Sequence, residues 1–292
     1  MRATVITVVH GRQQHLRGQI AALDRSSVLA QDHVVVAMDD PSLPQTVGCD
    51  RGITFRYTDG GAYGLPVAAA RNAGAEAALE GGAELLIFLD VDCLPGPELV
   101  GRYSEAASQP GQAAALLCGP VAYLPPPPAT GYDLGALEGY DFHPARPVPA
   151  VGEIIPDGDP RLFWSLSFAL TADTWRRIGG FCVRYQGYGG EDTDFAFAAR
   201  EAGVPLAWVG GASAYHQWHP TENPPVAHLV DIVRNASIFA DRWGWWPMEG
   251  WLDEFVRRGL IRWDGPSQSY LVLDGSSAAG RADRLAAKEL AS

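Results

Sequence analysis

The chain has 292 residues, of which 47% are hydrophobic and 19% charged, so it can bury an ordinary core and need not be disordered. Its 22 Lys and Arg against 34 Asp and Glu give a net charge of -12, which argues against binding to nucleic acid or to an anionic membrane surface. Apolar runs such as Leu85 to Leu89 are far shorter than the ~20 residues that cross a bilayer, and the N-terminus lacks the pattern of a secretion signal. We therefore expect a soluble cytoplasmic protein without a transmembrane segment.

The first third of the chain alternates strands and helices. Three β-branched apolar runs predict buried parallel strands at Thr4 to Val9, His33 to Met38 and Glu84 to Leu89. Helical patterns lie between them at Gln13 to Leu23 and Leu65 to Leu79. This order predicts an α/β nucleotide-binding half.

A proline-rich segment follows, with ten prolines between Pro120 and Pro160. Proline lacks an N–H donor and restricts φ, so the segment cannot be regular helix or central strand. Its interleaved Tyr132, Tyr140 and Phe142 favour a substrate-lining loop over a linker.

Regular structure resumes after this segment. The expected elements are an ordered run at Phe163 to Leu170, helices at Ala172 to Ile178, Asp192 to Ala202 and Val226 to Arg242, and a strand at Leu206 to Val209. No sharp break divides the chain, so we expect one domain over residues 1–274 and a flexible tail over residues 275–292.

Two carboxylates, Asp90 and Asp92, come directly after the apolar strand. Ligands bind at the carboxyl ends of strands in open α/β sheets, so this pair faces a crevice. On an extended chain, the i, i+2 spacing projects both side chains to the same side. Mg²⁺ and Mn²⁺ prefer oxygen ligands and bridge carboxylates to substrate phosphates. The position after a buried strand favours a metal site over two solvated turn residues.

A glycine-rich run precedes an acidic cluster in GYGGEDTD, residues 187–194. Acidic side chains at a helix N-terminus cap free N–H groups, and this explains some of the cluster. Adjacent carboxylates beside such a loop can instead supply a general base. Both interpretations stay open from the sequence alone.

Two histidines, His216 and His219, follow the strand at Leu206 to Val209. They could ligate a metal from one side of a turn or helix, whereas packing or capping is the commoner role of a lone histidine. The separate carboxylate pair favours one of them as a metal ligand, and which one stays open.

The motifs VITVVHGR, AMDDPS, ARNAGAEAA, FLDVDC, WSLSFALTADTWRRIGGF, GYGGEDTDFAFAAR and HQWH follow one another between Thr4 and His219. Their order resembles the family 2 type of GT-A glycosyltransferases. The GGED segment is also similar to that of the β4-galactosyltransferases, which invert the anomeric carbon, whereas the retaining polypeptide N-acetylgalactosaminyltransferases carry GGEN.

The resemblance implies an α/β GT-A (Rossmann-like) fold with a mostly parallel central sheet flanked by helices. It divides the chain into a nucleotide-sugar-binding half at residues 1–92 and an acceptor-binding and catalytic half at residues 93–274. The donor-binding residues that it implies are His10, Arg12, Asp39, Asp40, Arg71 and Asp90. Proline replaces the commoner glycine in DDPS, so Asp39 and Asp40 are assigned less securely than Asp90.

The resemblance also implies the reacting groups. Asp92 and either His216 or His219 would hold Mn²⁺ or Mg²⁺, and Asp192 would be the catalytic base. The acceptor-binding residues are Gly189, Gly190, Glu191 and Trp164, the last because sugar rings stack on aromatic faces. The tryptophans Trp243, Trp245, Trp246 and Trp251 are a second candidate platform.

We therefore expect a metal-dependent inverting transfer of a hexose from a nucleotide sugar, with UDP as the commonest nucleotide in similar proteins, to a saccharide or other hydroxyl acceptor. The alternatives are a retaining GT-A transferase and an inactive protein that binds nucleotide sugars. A nucleotidyltransferase would need a glycine-rich basic loop, and HGRQQHLRG offers only Gly11 and Gly18.

Overall fold

A computed structural model describes residues 1–47 and 52–273. The strands are β1 Ala3–Val9, β2 Asp32–Met38, β3 Ile53–Thr58, β4 Leu85–Leu89, β5 Cys93–Pro95, β6 Leu116–Cys118, β7 Val121–Tyr123, β8 Ile154–Ile155, β9 Ser167–Thr171, β10 Leu206–Val209, β11 Ala214–His216, β12 Ile261–Asp264 and β13 Ser269–Val272. The helices are α1 Gln13–Leu23, α2 Leu43–Val47, α3 Val67–Glu80, α4 Leu99–Ser108, α5 Ala172–Ile178, α6 Glu191–Glu201, α7 Leu229–Trp243 and α8 Glu249–Arg257. Single 3₁₀ turns lie at Pro160–Leu162 and Val226–His228.

The largest sheet has eight strands in the order β3-β2-β1-β4-β9-β6-β10-β8. Its strands pair in parallel except where β9 lies between β4 and β6 and where β8 adds to β10 at the edge. Every residue of β1 and β4 is buried, as continuous β-branched and leucine-rich runs predict for central strands. The expected α/β class with a mostly parallel sheet and flanking helices is confirmed.

A second sheet of three strands, in the order β5-β11-β7, positions the functional residues. Strand β11 runs antiparallel to β5 and parallel to β7, which places His216 opposite both Cys93 and Tyr123. The start of β5, just after the segment that follows β4, is therefore brought next to the end of β11, although the two are far apart in the chain.

The described residues form two compact units. The first comprises residues 1–60, 66–183 and 192–219, and the second comprises residues 61–65, 184–191 and the described part that begins at 220. In the first, β1, β4 and α4 share one apolar core, while in the second α7, α8 and β12 share another. One domain over 1–274 stays a prediction, and the predicted tail lies outside the described residues.

Most of the expected elements are present, and several others, such as α4, α8 and β12, were not expected. Strand β3 was not expected, because its residues alternate between partly buried and exposed at the sheet edge rather than forming an apolar run. Helix α3 begins at Val67, since Pro66 is its cap residue. The proline-rich segment is largely irregular, and its strands β7 and β8 lie at sheet edges, where a missing N–H is tolerated.

Helices of the described residues are all too short or too polar to cross a membrane.

Close packing of α3 on the sheet depends on Gly74. A Cβ at this position would lie 2.5 Å from Cγ2 of Ile6 and 3.1 Å from Cγ2 of Val36. Because both neighbours are buried and β-branched, they have little freedom to move. We expect Gly74→Ala to lower the free energy of unfolding by about 1–3 kcal/mol, measured by urea denaturation.

The matched control is Gly250→Ala in α8, where a Cβ would meet nothing within 4 Å. This change should stabilise by up to about 1 kcal/mol, because alanine has the higher helix propensity. Equal effects of the two substitutions would contradict the packing argument.

Candidate functional site

The two aspartates after β4 lie in a turn. The backbone N–H of Cys93 donates to the carbonyl of Asp90 at 2.8 Å, which closes the chain over four residues. The expectation of an extended chain at this point is therefore wrong. Asp90 Oδ1 accepts from Arg71 at 2.9 Å, whereas Asp92 pairs with Arg12. The turn gives the two carboxylates different partners.

Asp92 and both predicted histidines form one cluster in the first unit. The Nε2 atom of His216 lies 3.6 Å from Asp92 Oδ1, and the Nε2 atom of His219 lies 3.5 Å from Oδ2. One ligand atom from each residue falls within 4.8 Å of the others. The pairing of β11 with β5 explains this proximity, because His216 lies opposite Cys93, the neighbour of Asp92.

The electrostatics of the cluster keep Asp92 ionised. Burial by itself would raise the pKa of Asp92, but a hydrogen bond with His219 and the charges of His216 and Arg12 outweigh it and lower the pKa to about 2. Burial lowers the pKa of His216, although Asp92 opposes this shift. An ionised carboxylate beside a neutral imidazole is the protonation state in which both side chains bind a metal.

The donor set fits a divalent cation. Asp92 is 8% exposed, and both imidazoles are half-buried, so the three side chains are partly withdrawn from water before any ion binds. Carboxylate oxygens suit Mn²⁺ and Mg²⁺, and imidazole nitrogens suit transition metals. These three residues could hold a metal while leaving coordination positions open for a substrate.

A buried glutamine that the sequence analysis missed holds the turn. Gln19 on α1 is fully buried, and its amide nitrogen donates to the carbonyls of Asp90 at 2.7 Å and Cys93 at 3.0 Å. Its oxygen accepts from the hydroxyl of Thr7 at 2.7 Å. The available signal was a polar residue within the apolar stripe of α1, next to Ile20.

Gln217 supports the other side of the cluster. Its backbone N–H donates to the carbonyl of Asp92 at 2.6 Å, and its side-chain nitrogen donates to the carbonyl of His15 at 3.1 Å. The side chain is 6% exposed. The segment between the two histidines is therefore attached both to the aspartate turn and to α1.

The predicted donor residues lie at the carboxyl ends of β1 and β2. Nδ1 of His10 is 2.8 Å from the carbonyl of Met38, and Asp40 Oδ2 accepts from the N–H of Gly11 at 3.3 Å. Asp39 is exposed and adopts a φ of 47°. His10 and Asp40 therefore lie at the ends of adjacent strands, and their donor-binding roles stay predictions.

The remaining donor residues, Arg12, Arg71 and Asp90, gather around the turn. Arg71 is 3% exposed, pairs with Asp90 and lies 5.2 Å from the ring of Phe181. Arg12 contacts Asp92 of the candidate metal cluster. The donor-binding roles of all three residues stay predictions.

The predicted base, Asp192, is half-buried in the first turn of α6 in the first unit. Its Oδ1 accepts from the N–H of Thr193 at 2.7 Å. Glu191, Gly189 and Gly190 belong to the second unit, and the glycines adopt φ values of 91° and 88°. Only glycine adopts this left-handed backbone without strain. The catalytic and acceptor roles of these residues stay predictions.

Within the second unit, Asn235 of α7 holds the glycine loop. Its buried amide nitrogen donates to the carbonyls of Gln186 at 3.0 Å, Tyr188 at 3.2 Å and Gly189 at 2.9 Å. Sequence reasoning missed it, although an amide between apolar residues of an amphipathic helix was the available signal.

The candidate aromatic platforms differ in their surroundings. Trp164 is half-buried in the first unit, with its ring 4.7 Å from that of His143. Trp246, from the second candidate group, packs edge-to-face with Tyr270 and lies against the apolar core of the second unit. This packing gives Trp246 a structural role.

Two glycosyltransferases are similar to this chain in sequence. The validoxylamine A glucosyltransferases of Streptomyces hygroscopicus subsp. limoneus and subsp. jinggangensis are each 29% identical over 259 residues, which is 81% of this chain. The match covers 55% and 60% of their lengths, so the chain spans little more than half of each relative. No protein-family model matches the chain.

Two solved structures share the fold of this chain. GalNAc-T7, crystallised with UDP, GalNAc and Mn²⁺, is 15% identical, with a TM-score of 0.53 over 75% of this chain and 43% of its own. TarS of S. aureus is 12% identical, with a TM-score of 0.51 over 82% of this chain and 42% of its own. The fold is that of the GT-A glycosyltransferases.

The turn contacts predict the effect of Gln19→Met, which keeps the length of the side chain and removes its hydrogen bonds. Two buried carbonyls and Thr7 would lose their partner, so unfolding should become easier by about 1–3 kcal/mol. Displacement of the turn should weaken Mn²⁺ binding roughly 10–100-fold, measured by isothermal titration calorimetry.

The control is Gln14→Met on the exposed side of the same helix. It should change neither quantity. Unchanged Mn²⁺ affinity in a folded Gln19→Met variant would show that Gln19 does not position the site.

The glycine-loop contacts predict the effect of Asn235→Leu, which preserves volume and removes the donor to three carbonyls. We expect faster amide exchange in residues 186–190 and a loss of about 1–3 kcal/mol in unfolding free energy. Hydrogen exchange read by mass spectrometry measures the first quantity. Ser237→Ala, which removes only a hydrogen bond to Val233 on the same helix, should leave exchange in the loop at the wild-type rate.

Proposed function

We propose that this protein is a metal-dependent inverting glycosyltransferase that moves a hexose from a nucleotide sugar to a hydroxyl acceptor. The observation that carries the proposal is the cluster of Asp92, His216 and His219 beside the carboxyl end of β4 in a GT-A fold. In open α/β sheets, ligands bind at this edge. The two relatives that are named glucosyltransferases support sugar transfer as the reaction.

The proposed donor is a UDP-sugar, with glucose as the transferred hexose. Glucose is supported by the names of the relatives, and UDP with Mn²⁺ is supported by the crystal structure of GalNAc-T7. The proposed base and ribose pocket is formed by His10, Asp39 and Asp40. A thermal-shift comparison of UDP-, GDP- and dTDP-glucose with Mn²⁺ tests the nucleotide, because a ligand at 100 times its Kd stabilises by about 2.7 kcal/mol.

Asp92, His216 and His219 would hold the cation, for which we propose Mn²⁺ ahead of Mg²⁺ because two of the three ligands are imidazoles. A divalent cation bound there would offset the negative charge of the diphosphate leaving group. Asp90 and Arg71 would face the ribose side of the donor. Because the chain carries a net charge of -12, this local positive charge is needed to attract a diphosphate.

Asp192 would accept the proton of the attacking hydroxyl, while Glu191, Gly189 and Gly190 hold the acceptor. General-base catalysis of this kind contributes typically about 10²–10⁴-fold. The GGED sequence, rather than GGEN, supports inversion at the anomeric carbon. NMR of the product distinguishes the α from the β anomer, and retention would refute this part of the proposal.

The proposed metal site predicts the behaviour of Asp92→Asn. Loss of the charged ligand should weaken Mn²⁺ binding by at least about ten-fold and abolish sugar transfer, as should an excess of EDTA with the wild-type protein. Asp173→Asn, with the same charge change on a carboxylate whose side chain is 95% exposed, is the control and should bind Mn²⁺ normally. Full transfer in excess EDTA would refute metal dependence.

The proposed base predicts a different result for Asp192→Asn. Transfer should fall by about 10²-fold or more, with donor affinity nearly unchanged, because the base acts on the acceptor hydroxyl. Glu201→Gln, at the exposed end of the same helix, should keep both quantities. If the wild-type protein binds donors but neither hydrolyses nor transfers them, it is instead an inactive nucleotide-sugar-binding protein.

A further inference from the structure

A row of aromatic rings extends from the metal-site histidine. The ring of Tyr123 lies 5.0 Å from that of His216, the ring of His143 lies 5.9 Å from Tyr123, and the ring of Trp164 lies 4.7 Å from His143. All four residues belong to the first unit. The pairing of β7 with β11 starts the row, because it places Tyr123 opposite His216.

The row is accessible to a ligand. Tyr123 is 44% exposed, although its two neighbours on β7 are buried, and both His143 and Trp164 are half-buried. An exposed tyrosine alone is ordinary for a protein surface. Three rings in continuous contact, beginning at a candidate metal ligand, form a surface with both apolar faces and polar edges.

An unusual contact fixes the far end of the row. Arg146 is 5% exposed, and its guanidinium carbon lies 5.3 Å from the ring of Trp164 and 4.8 Å from that of Trp208. Among the described residues, none of its guanidinium nitrogens has a hydrogen-bond partner. A buried charge without hydrogen bonds is costly, and stacking against two indoles is the compensation that the described residues supply. This contact holds the orientation of Trp164.

The middle of the row presents a polar atom. Nδ1 of His143 accepts from the backbone N–H of Ala145 at 3.2 Å, so the neutral ring carries its proton on Nε2. A hydroxylated ring is the ligand that such a surface suits, because its C–H face packs on aromatic rings while its hydroxyls meet donors at the edges.

We propose that Tyr123, His143 and Trp164 form an acceptor surface that binds a hydroxylated six-membered ring through its C–H face, with Arg146 as a positioning residue for Trp164. This inference rests on the proposed function, which places the donor diphosphate at the Asp92 cluster. The base pocket is proposed on the ends of β1 and β2, whereas the row begins on β7 and β11. The row thus begins at a proposed metal ligand, beside the proposed diphosphate site, and lies on other strands than the proposed base pocket. This position suits the acceptor.

Binding of the acceptor, rather than turnover, tests the proposal. Saturation-transfer NMR with validoxylamine A and with methyl β-glucopyranoside, in the presence of UDP and Mn²⁺, should show ring protons in contact with the wild-type protein. Tyr123→Leu and Trp164→Leu should each weaken this binding by roughly ten-fold. Tyr57→Leu is the control, because Tyr57 is 47% exposed on β3, which belongs to a different sheet from β7.

Arg146→Lys tests the positioning role, because lysine keeps the charge and loses the planar guanidinium that stacks on indoles. We expect weaker acceptor binding, unchanged affinity for UDP and a changed near-ultraviolet circular dichroism signal from tryptophan. A general loss of structure would instead lower the UDP affinity and the melting temperature together. If Arg146→Lys does not fold because Arg146 is buried, Tyr123→Leu still tests the aromatic surface.

The outcomes separate the two proposals. If Tyr123→Leu and Trp164→Leu both bind the ring compounds as tightly as the wild-type protein does, the aromatic surface is overturned. It is also overturned if the wild-type protein contacts neither ring compound. Hydrolysis of UDP-glucose by the wild-type protein is measured in parallel and reports on the proposed function alone. Sugar binding through the row by a protein that neither hydrolyses nor transfers a nucleotide sugar would support the surface and refute the transferase.

Discussion

The hydrogen bonds from Gln19 to the turn after β4 are the interaction on which the candidate site depends. The turn is buried, so its carbonyl groups need donors, and water is not available to supply them. A side chain from α1 satisfies two carbonyls at once and thereby sets the position of the turn relative to β1 and β4. Asp92 then lies where β11 ends, and the two histidines become its neighbours. Hydrogen bonds to backbone groups therefore contribute to the geometry of the candidate metal cluster.

Positive and negative side chains are paired around the turn, whereas the chain as a whole is acidic. The chain has a net charge of -12, yet Arg12 and Arg71 both contact the carboxylates of the turn. Although burial raises the pKa of Asp92, a hydrogen bond with His219 and the charges of His216 and Arg12 outweigh it and lower the pKa to about 2. The two histidines complete the cluster. Both carboxylates of the turn therefore have a positively charged partner.

In the second unit too, a buried side-chain amide donates hydrogen bonds to the backbone of a loop. Asn235 donates to three carbonyls of the glycine loop, as Gln19 donates to two in the aspartate turn. In each unit a buried amide on a helix holds an irregular segment that carries proposed functional residues. A carboxamide suits this task because it provides donors and an acceptor without a charge to desolvate. Loops held in this way keep their functional groups in place before a substrate binds.

The sequence by itself determined the strands β1, β2 and β4, the helix α1 and the α/β class, because continuous apolar runs and helical periodicity are local properties. It also identified Asp92, His216 and His219 as candidates, because chemistry-bearing residues next to strand ends are visible in one dimension. Only the tertiary structure showed that the aspartates form a turn, that both histidines reach Asp92, and that Tyr123 and His143 continue the row to Trp164. Those facts depend on strand order and register, which join residues far apart in the chain. Gln19, Asn235 and Arg146 escaped detection because the groups that they contact are backbone carbonyls and indole faces elsewhere in the chain. A polar residue within an apolar helix face was a signal at Gln19 and Asn235, but it does not show the partner.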